Sequence, residues 1–356
     1  MKISDVAIYS AKLGGASSLL VRVDTDEGIY GWGEACLPGR EHAVAGVIRH
    51  YREALVGRDP CRRGALWQHM YRAQYFEGGR DLAAAIAAVD MALHDIVGKR
   101  LQVPVYDLLG GRQREYAALL PAVPPVSVVG LVDQGRRLLE AGWEGILLKL
   151  PDAAPLDEVA AALLALRAAV GHNPVIGLDC GQRLSVADAA SFCQTLEHHT
   201  LDFVQDPIRD DVPSSYRALR RLIDVPFAIG ACLSSKWAFM PYLESDIANY
   251  ARINVGACGG LTESVKVAAS CEAHYVPVMP CGRLGPVGLA AQAHFALSLP
   301  SLAWVEADVT ATFDSAVFPM GPEIDGSSLF VAESPGLGVD VAVSAVEEFP
   351  DAFPIV

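Results

Sequence analysis

Short apolar runs recur along residues 145–308, each closing on a polar or small residue and each followed by an Ala/Leu-rich stretch of helical period. In order they are GILLK ending at Lys149, PVIGLD at Asp179, LDFVQ at Gln205, VPFAIGA at Ala231, ANYARIN at Asn254, YVPVMPC at Cys281 and SLAWVE at Glu306. A further strand is expected over 116–123, and helices over 129–141, 156–170, 186–198, 214–223, 236–243, 261–274 and 287–299. A βα unit repeated every 25 to 30 residues or so over most of a chain is what a parallel barrel of about 250 residues requires. Chemistry in such barrels gathers at the carboxyl ends of the strands, which makes the seven end residues the first candidates.

Upstream the period changes. Residues 3–34 read as a β-meander, with SLLVRVDTDEG followed by a turn and by IYGWGEA. Helical spacing follows over 42–57 and 60–75. The long Ala-rich run DLAAAIAAVDMALHDIVGKRL is expected to stop at Gly98, with Lys99 and Arg100 near its end. Gly110-Gly111 breaks the chain before the barrel. Beyond Asp308 the period is lost, and a tail rich in Gly, Pro and acidic residues is expected to wrap back onto the first domain. The division is an α+β domain over 1–114, a barrel over 115–309 and a C-terminal segment over 310–356.

Composition narrows the function classes. A chain of 356 residues exceeds one ordinary core, which suits a barrel plus a smaller domain. A net charge of −14 argues against a nucleic-acid partner. No apolar run approaches the roughly 20 residues of a membrane span, and MKISDVAIYS lacks the apolar core of a signal peptide; a cytoplasmic protein with no membrane partner is expected. The eight cysteines include no C-x-x-C pair, so they read mainly as buried thiols, although Cys180, Cys232, Cys258 and Cys281 fall at or just past strand ends.

The run from Gly98 to Gly111 (GKRLQVPVYDLLGG), the GWGEA segment from Gly31 to Ala35, and GGLTES after the sixth barrel strand together resemble the enolase superfamily, in its mandelate racemase and muconate lactonizing branch. The resemblance spans essentially the whole chain. It implies an α/β fold, a modified TIM barrel of (β/α)7β form capped by an N-terminal α+β domain that the C-terminal tail completes. It also implies removal of a proton α to a carboxylate, with the enediolate stabilised on Mg²⁺ held by three carboxylates at the ends of barrel strands three, four and five. Asp179 matches the first of these positions. Gln205, in FVQDP, stands at the second and Ala231 at the third. With two negative charges missing, no family-type magnesium site and no other cofactor is expected. Asp206 and Asp210 lie close by in sequence, but strand alternation turns Asp206 away from Gln205.

The same resemblance assigns the acid/base positions. Lys149 matches the second lysine of a Lys-x-Lys element whose first position is Leu147; Asn254 stands where relatives carry a dyad aspartate or a second lysine, Cys281 at the dyad histidine, and Glu306 at the acid ending strand eight. Lys149, Cys281, Asp179 and Glu306 are therefore the catalytic candidates. Gln205, Asn254 and Arg283 are candidates for substrate binding. Arg283 is positioned to favour a Cys281 thiolate, and Arg183 and Arg283 to meet a carboxylate, although strand-end lysines, loop arginines and buried thiols are more often plain solvation or packing. The expected function is that of an isomerase or lyase moving a proton next to a carboxylate or carbonyl of a small molecule, without magnesium. A magnesium-dependent acid-sugar dehydratase or epimerase and a non-catalytic, ligand-binding barrel remain open alternatives. A homo-oligomer is expected from the resemblance, which also assigns substrate choice to loops 13–18 and 36–40.

Overall fold

Alternating apolar positions carry the N-terminal third into β1 (Ile3–Leu13), β2 (Ala16–Thr25) and β3 (Tyr30–Ala35), an antiparallel set in the order given. The computed structural model describes residues 1–13, 16–72, 78–123, 127–308 and 313–350. The side chains of loop 13–18 lie outside that description up to position 17. The helices α1 (Glu41–Leu55), α2 (Arg63–Arg72) and α3 (Arg80–Leu101) pack on the sheet, and the short α4 (Val105–Leu108) leads out of the domain. Every residue of α3 from Ala83 to Gly98 is buried, because β3 covers one side and α1, α2 and a barrel helix cover the others. Its alanines let backbones approach closely. Gly31 and Gly33 of β3 complete that approach, since a Cβ at Gly33 would overlap the Ala88 carbonyl oxygen.

The expected stop at Gly98 is corrected: α3 runs on to Leu101 and ends at Gln102, whose left-handed backbone (φ 59°) turns its N–H to the carbonyls of Gly98 and Lys99. Gly98 lacks a side chain for another reason. A Cβ there would stand 2.7 Å from the Cα of Gly336 in the C-terminal tail.

Eight parallel strands form the barrel: β4 (Ala117–Val123), β5 (Gly145–Lys149), β6 (Val175–Asp179), β7 (Phe203–Gln205), β8 (Phe227–Ile229), β9 (Tyr250–Ile253), β10 (Val278–Pro280) and β11 (Val305–Ala307). Neighbours pair in sequence order, β11 pairs with β4, and Val278 bonds to Ser301 and Ala303 to close the ring. Between the strands lie α5 (Val128–Glu140), α6 (Leu156–Val170), α7 (Val186–Thr195), α8 (Pro213–Arg220), α9 (Lys236–Leu243), α10 (Gly260–Ala273) and α11 (Pro286–Ser298). The FAI strand stops two residues before Ala231, because Gly230 adopts φ 121° and leaves the extended region. Asn254 and Cys281 likewise sit one residue beyond β9 and β10.

Leu120, Leu147, Phe203, Ala228 and Met279 form an apolar floor in the barrel lumen, with Val175, Tyr250 and Trp304 against it. The Phe203 ring occupies the space that a side chain at Gly177 would need. Two residues further along each strand, on the same face, stand Lys149, Asp179, Gln205, Arg252, Cys281 and Glu306.

The tail divides its contacts between the barrel and the first domain. The hairpin of β12 (Glu323–Asp325) and β13 (Ser328–Phe330) pairs with β4 at Ala117 and Ala118. β5 meets β4 only from Ala122 onward, so this stretch of β4 edge has backbone groups to satisfy, and β13 takes them. The remainder does return: β14 (Glu347–Glu348) pairs with β1, and Phe349 enters the first domain's core. No helix among the described residues is long and apolar enough to cross a membrane.

Buried carboxylates join the first domain to the barrel. Asp90 on α3 accepts from the Thr262 N–H (2.9 Å) and Oγ1 (2.6 Å) at the start of α10. Glu34 on β3 accepts from the N–H groups of Gly285 (2.6 Å) and Gly288 (2.8 Å) at the start of α11 and from Ser18 Oγ (2.6 Å). Replacing Gly33 by Ala (Gly33→Ala) is expected to push β3 off α3 and cost about 3 kcal/mol or more, read as a lowered urea midpoint; an unchanged midpoint would show that the two backbones can separate freely.

Candidate active site

Lys149 ends β5 half-buried, and Asp179 lies in register with it on β6. The Asp179 carboxylate accepts from the Gly181 N–H at 2.9 Å. Burial and the negative charge of Glu306 push its carboxyl above the usual range, while Lys149 opposes them. Next on the ring, Gln205 is buried, and its Oε1 has no hydrogen-bond partner among the described residues.

Asp206 leaves the strand with φ 38°, so alternation no longer governs where it points. Its Oδ1 accepts from the Gly230 N–H at 3.2 Å. Burial, with Asp179 adding to it, pushes this carboxyl up to about 7. Asp210 is held elsewhere, on Arg80 at the start of α3 (2.7 Å).

Arg252 is the residue that strand-end reasoning passes over. It lies inside the ANYARIN run on the same strand face as Asn254, is 0% exposed, and pairs through Nη2 with Glu306 Oε2. Its Nε and Nη1 have no partner among the described residues. Its charge also acts on Asp179, Asp206 and Cys281. One signal was present in the sequence: an arginine between apolar neighbours in a buried strand either faces the lumen or pairs with a charge.

Cys281 is buried, and burial pushes its thiol well above the ordinary cysteine range. The cation opposing that shift is Arg252. The expected thiolate favoured by Arg283 is thus corrected: desolvation outweighs the cation and the group stays a thiol. Asn254 is held on both sides, its Oδ1 accepting from the Gly256 N–H (3.0 Å) and its Nδ2 donating to Cys36 Sγ (3.5 Å). Gly282, at φ 123°, leaves room for that amide, since a Cβ there would come within 2.8 Å of it. Arg183 is taken up by Asp152 and by the carbonyls of Leu150 and Cys180, which removes it as a carboxylate ligand. Arg283 instead joins Lys149, Glu306, Ala122, Gly282 and Asp308 around one narrow pocket at the barrel mouth. Of the seven candidates, the structure brings Lys149, Glu306 and Arg283 to a shared opening, while Gln205, Asn254 and Cys281 are buried around it.

The donor set does not suit a divalent cation. Asp179 is the one carboxylate at the three matched positions, Gln205 offers an amide oxygen, Ala231 offers nothing, and a fixed guanidinium already acts on Asp179 and Glu306. Among the described residues no three His, Cys, Asp or Glu side chains gather closely enough to hold a metal. An extra dication here would meet Arg252 as a like charge.

Two family descriptions match the chain: "Mandelate racemase / muconate lactonizing enzyme, N-terminal domain" over residues 5–110 and "Enolase C-terminal domain-like" over 130–345. D-galactonate dehydratase of Verminephrobacter eiseniae is 31% identical over 98% of this chain and 94% of its own length. The enzyme of that name from Variovorax paradoxus is 33% identical over 91% of this chain and 88% of its own. Among solved structures, an enolase from Pantoea ananatis with bound D-gluconate and Mg aligns with a TM-score of 0.89 at 26% identity, covering 97% of this chain and 93% of that one. The 3,6-anhydro-D-galactonate cycloisomerase of Zobellia galactanivorans aligns with a TM-score of 0.86 at 26% identity, over 97% and 98%.

Asp206 generates a stability prediction. Its folded value near 7 exceeds the unfolded carboxylate value, so between about pH 4 and 7 the native state retains a proton that the unfolded chain releases, and stability falls as pH rises through that window. The raised Asp179, Glu34 and Asp95 carboxyls act with the same sign. Melting temperatures from pH 5 to 8 are expected to decline in the native protein and to decline less in Asp206→Asn. Equal slopes would exclude Asp206 as a contributor.

Proposed function

The chain belongs to the mandelate racemase / muconate lactonizing enzyme family of the enolase superfamily, and from that membership we propose that it is a dehydratase-type lyase acting on a small sugar acid, without a bound magnesium ion. The observation that carries this reading is the pocket at the carboxyl ends of the barrel strands, where Lys149, Arg283 and Glu306 meet. The two cations, Lys149 and Arg283, suit a substrate carboxylate, and the two acidic side chains, Glu306 and Asp308, suit its hydroxyl groups. The names of the relatives, D-galactonate dehydratases over more than nine tenths of this chain, support the same substrate class.

In this reading Lys149 takes the proton from the carbon next to the substrate carboxylate, and the C–O bond on the following carbon breaks. Cys281, held as a thiol by burial and carried by a strand three places round the ring from β5, supplies the proton with which the hydroxyl leaves as water. The enol that remains ketonises to a 2-keto-3-deoxy acid. Glu306 accepts from a substrate hydroxyl, and Arg283 holds the carboxylate at the rim. Asp179 stands beside Lys149 and sets the charge around it, and Gln205 offers its unpartnered oxygen as a neutral acceptor.

The Pantoea ananatis relative with bound Mg favours a second reading, a magnesium-dependent dehydratase. The two separate cleanly in one assay. D-galactonate, D-gluconate and related aldonates are supplied with excess chelator and keto-acid formation is followed. The expected result is turnover that chelator leaves intact, that Lys149→Met lowers by about 10³-fold or more and that Cys281→Ala lowers by about 10²-fold. Activity abolished by chelator and restored by Mg²⁺, or full turnover in Lys149→Met, would overturn the proposal.

A further inference from the structure

A guanidinium with two unpartnered N–H donors in the lumen of a barrel is the strongest unexplained feature of the molecule. Arg252 is fully buried, shares one carboxylate oxygen of Glu306, and leaves Nε and Nη1 unsatisfied among the described residues. A buried donor without a protein acceptor carries a desolvation cost that native structures offset with an ordered water or a ligand. The partner of its third nitrogen, Glu306, lines the narrow pocket, so the guanidinium lies directly behind the pocket wall. Gln205 Oε1, also buried and unpartnered, belongs to the same polar ring.

We propose that Arg252 is the resident cation of this site: through Nε and Nη1 its guanidinium reaches the inner side of the substrate carboxylate that Arg283 holds at the rim, and supplies, covalently attached to β9, the positive charge that the family obtains from a divalent metal. The planar fork of an arginine matches a carboxylate or an enediolate, and its charge does not depend on pH in the working range. An alanine at 231 and an amide at 205 follow from that choice, since carboxylates there would be needed only to hold a metal. The two carboxylates on the ring itself, Asp179 and Glu306, are matched in number by the guanidinium and Lys149. A ligand reaching Arg252 displaces or shares its bond to Glu306, which makes Glu306 a movable wall of the pocket.

This inference rests on the reading of the site as one for a sugar acid, and binding measurements test it apart from turnover. Oxalate, a planar dianion small enough for a narrow pocket, and D-galactonate are titrated calorimetrically into the full-length protein in excess chelator. The native protein is expected to bind both, and Glu306→Gln, which loses a competing negative charge, to bind oxalate. Arg252→Lys is expected to bind about tenfold more weakly, and Arg252→Met by about 100-fold or more. Because Arg252→Met strands Glu306 in the lumen, the double variant Arg252→Met/Glu306→Gln provides a neutral lumen whose melting temperature reports folding; it is expected to melt close to the native protein and to show the same loss of binding. Native-like affinity in the folded double variant, or binding by the native protein that appears only with Mg²⁺, would overturn the inference. If oxalate binding depends on Arg252 and no aldonate is dehydrated, the resident cation stands and the dehydratase reading falls. Turnover retained without Arg252 removes the resident cation and leaves the dehydratase reading in place.

Discussion

Everything at the barrel mouth depends on how the first domain is fastened over it, and that fastening is done by buried carboxylates seated on helix N-termini. Asp90 and Glu34 accept from the opening turns of α10 and α11, where N–H groups have no partner within their own helices. A carboxylate buried without donors is costly, so the docking has little freedom to slide. Asp95 extends the arrangement to the tail, accepting from Trp32 N–H (3.0 Å), Lys99 Nζ (2.7 Å) and Leu337 N–H (2.8 Å). GWGEA is therefore an instrument of assembly: two glycines for contact with α3 and one glutamate for α11.

That docking also shapes the site. Immediately after β3, Cys36 donates its N–H to the Gly256 carbonyl and its thiol to the Arg283 carbonyl, while accepting from the Asn254 amide. The wall formed by the segments after β9 and β10 is thus built jointly by the two domains. Burial pushes the Cys36 thiol up to about 12, which keeps it a neutral packing group. Asn254 is committed to this joint.

Below the mouth the lumen is layered: an apolar floor, then a ring in which charges oppose one another across the strands. The floor keeps the medium around Arg252, Glu306 and Asp179 poor in water, which strengthens their mutual attraction and raises the cost of any charge left alone. Identity of 31 to 33% with the D-galactonate dehydratases over nearly the whole chain accounts for the shared frame. The charges that matter to chemistry are concentrated in this one layer, at Asp179, Arg252 and Glu306.

Strand and helix periods in the sequence determined the ladder of eight strands and the lumen-facing parity of Lys149, Asp179, Gln205 and Glu306, because alternation within one strand is a local property, whereas the missing carboxylates at 205 and 231 were implied by the resemblance to the enolase superfamily. Gly98 and the GWGEA glycines were visible as motifs, but their reasons were not, since the backbones they admit come from distant segments. The pairing of β13 with β4 depended on which edge of β4 remained open. Only the tertiary structure decided the role of Arg252: its partner Glu306 lies 54 residues away on a strand two places round the ring, and a charge deep in a lumen takes its meaning from the other strands that surround it. The same holds for Asp206, which the left-handed turn after β7 carries out of the alternating pattern and into contact with the end of β8.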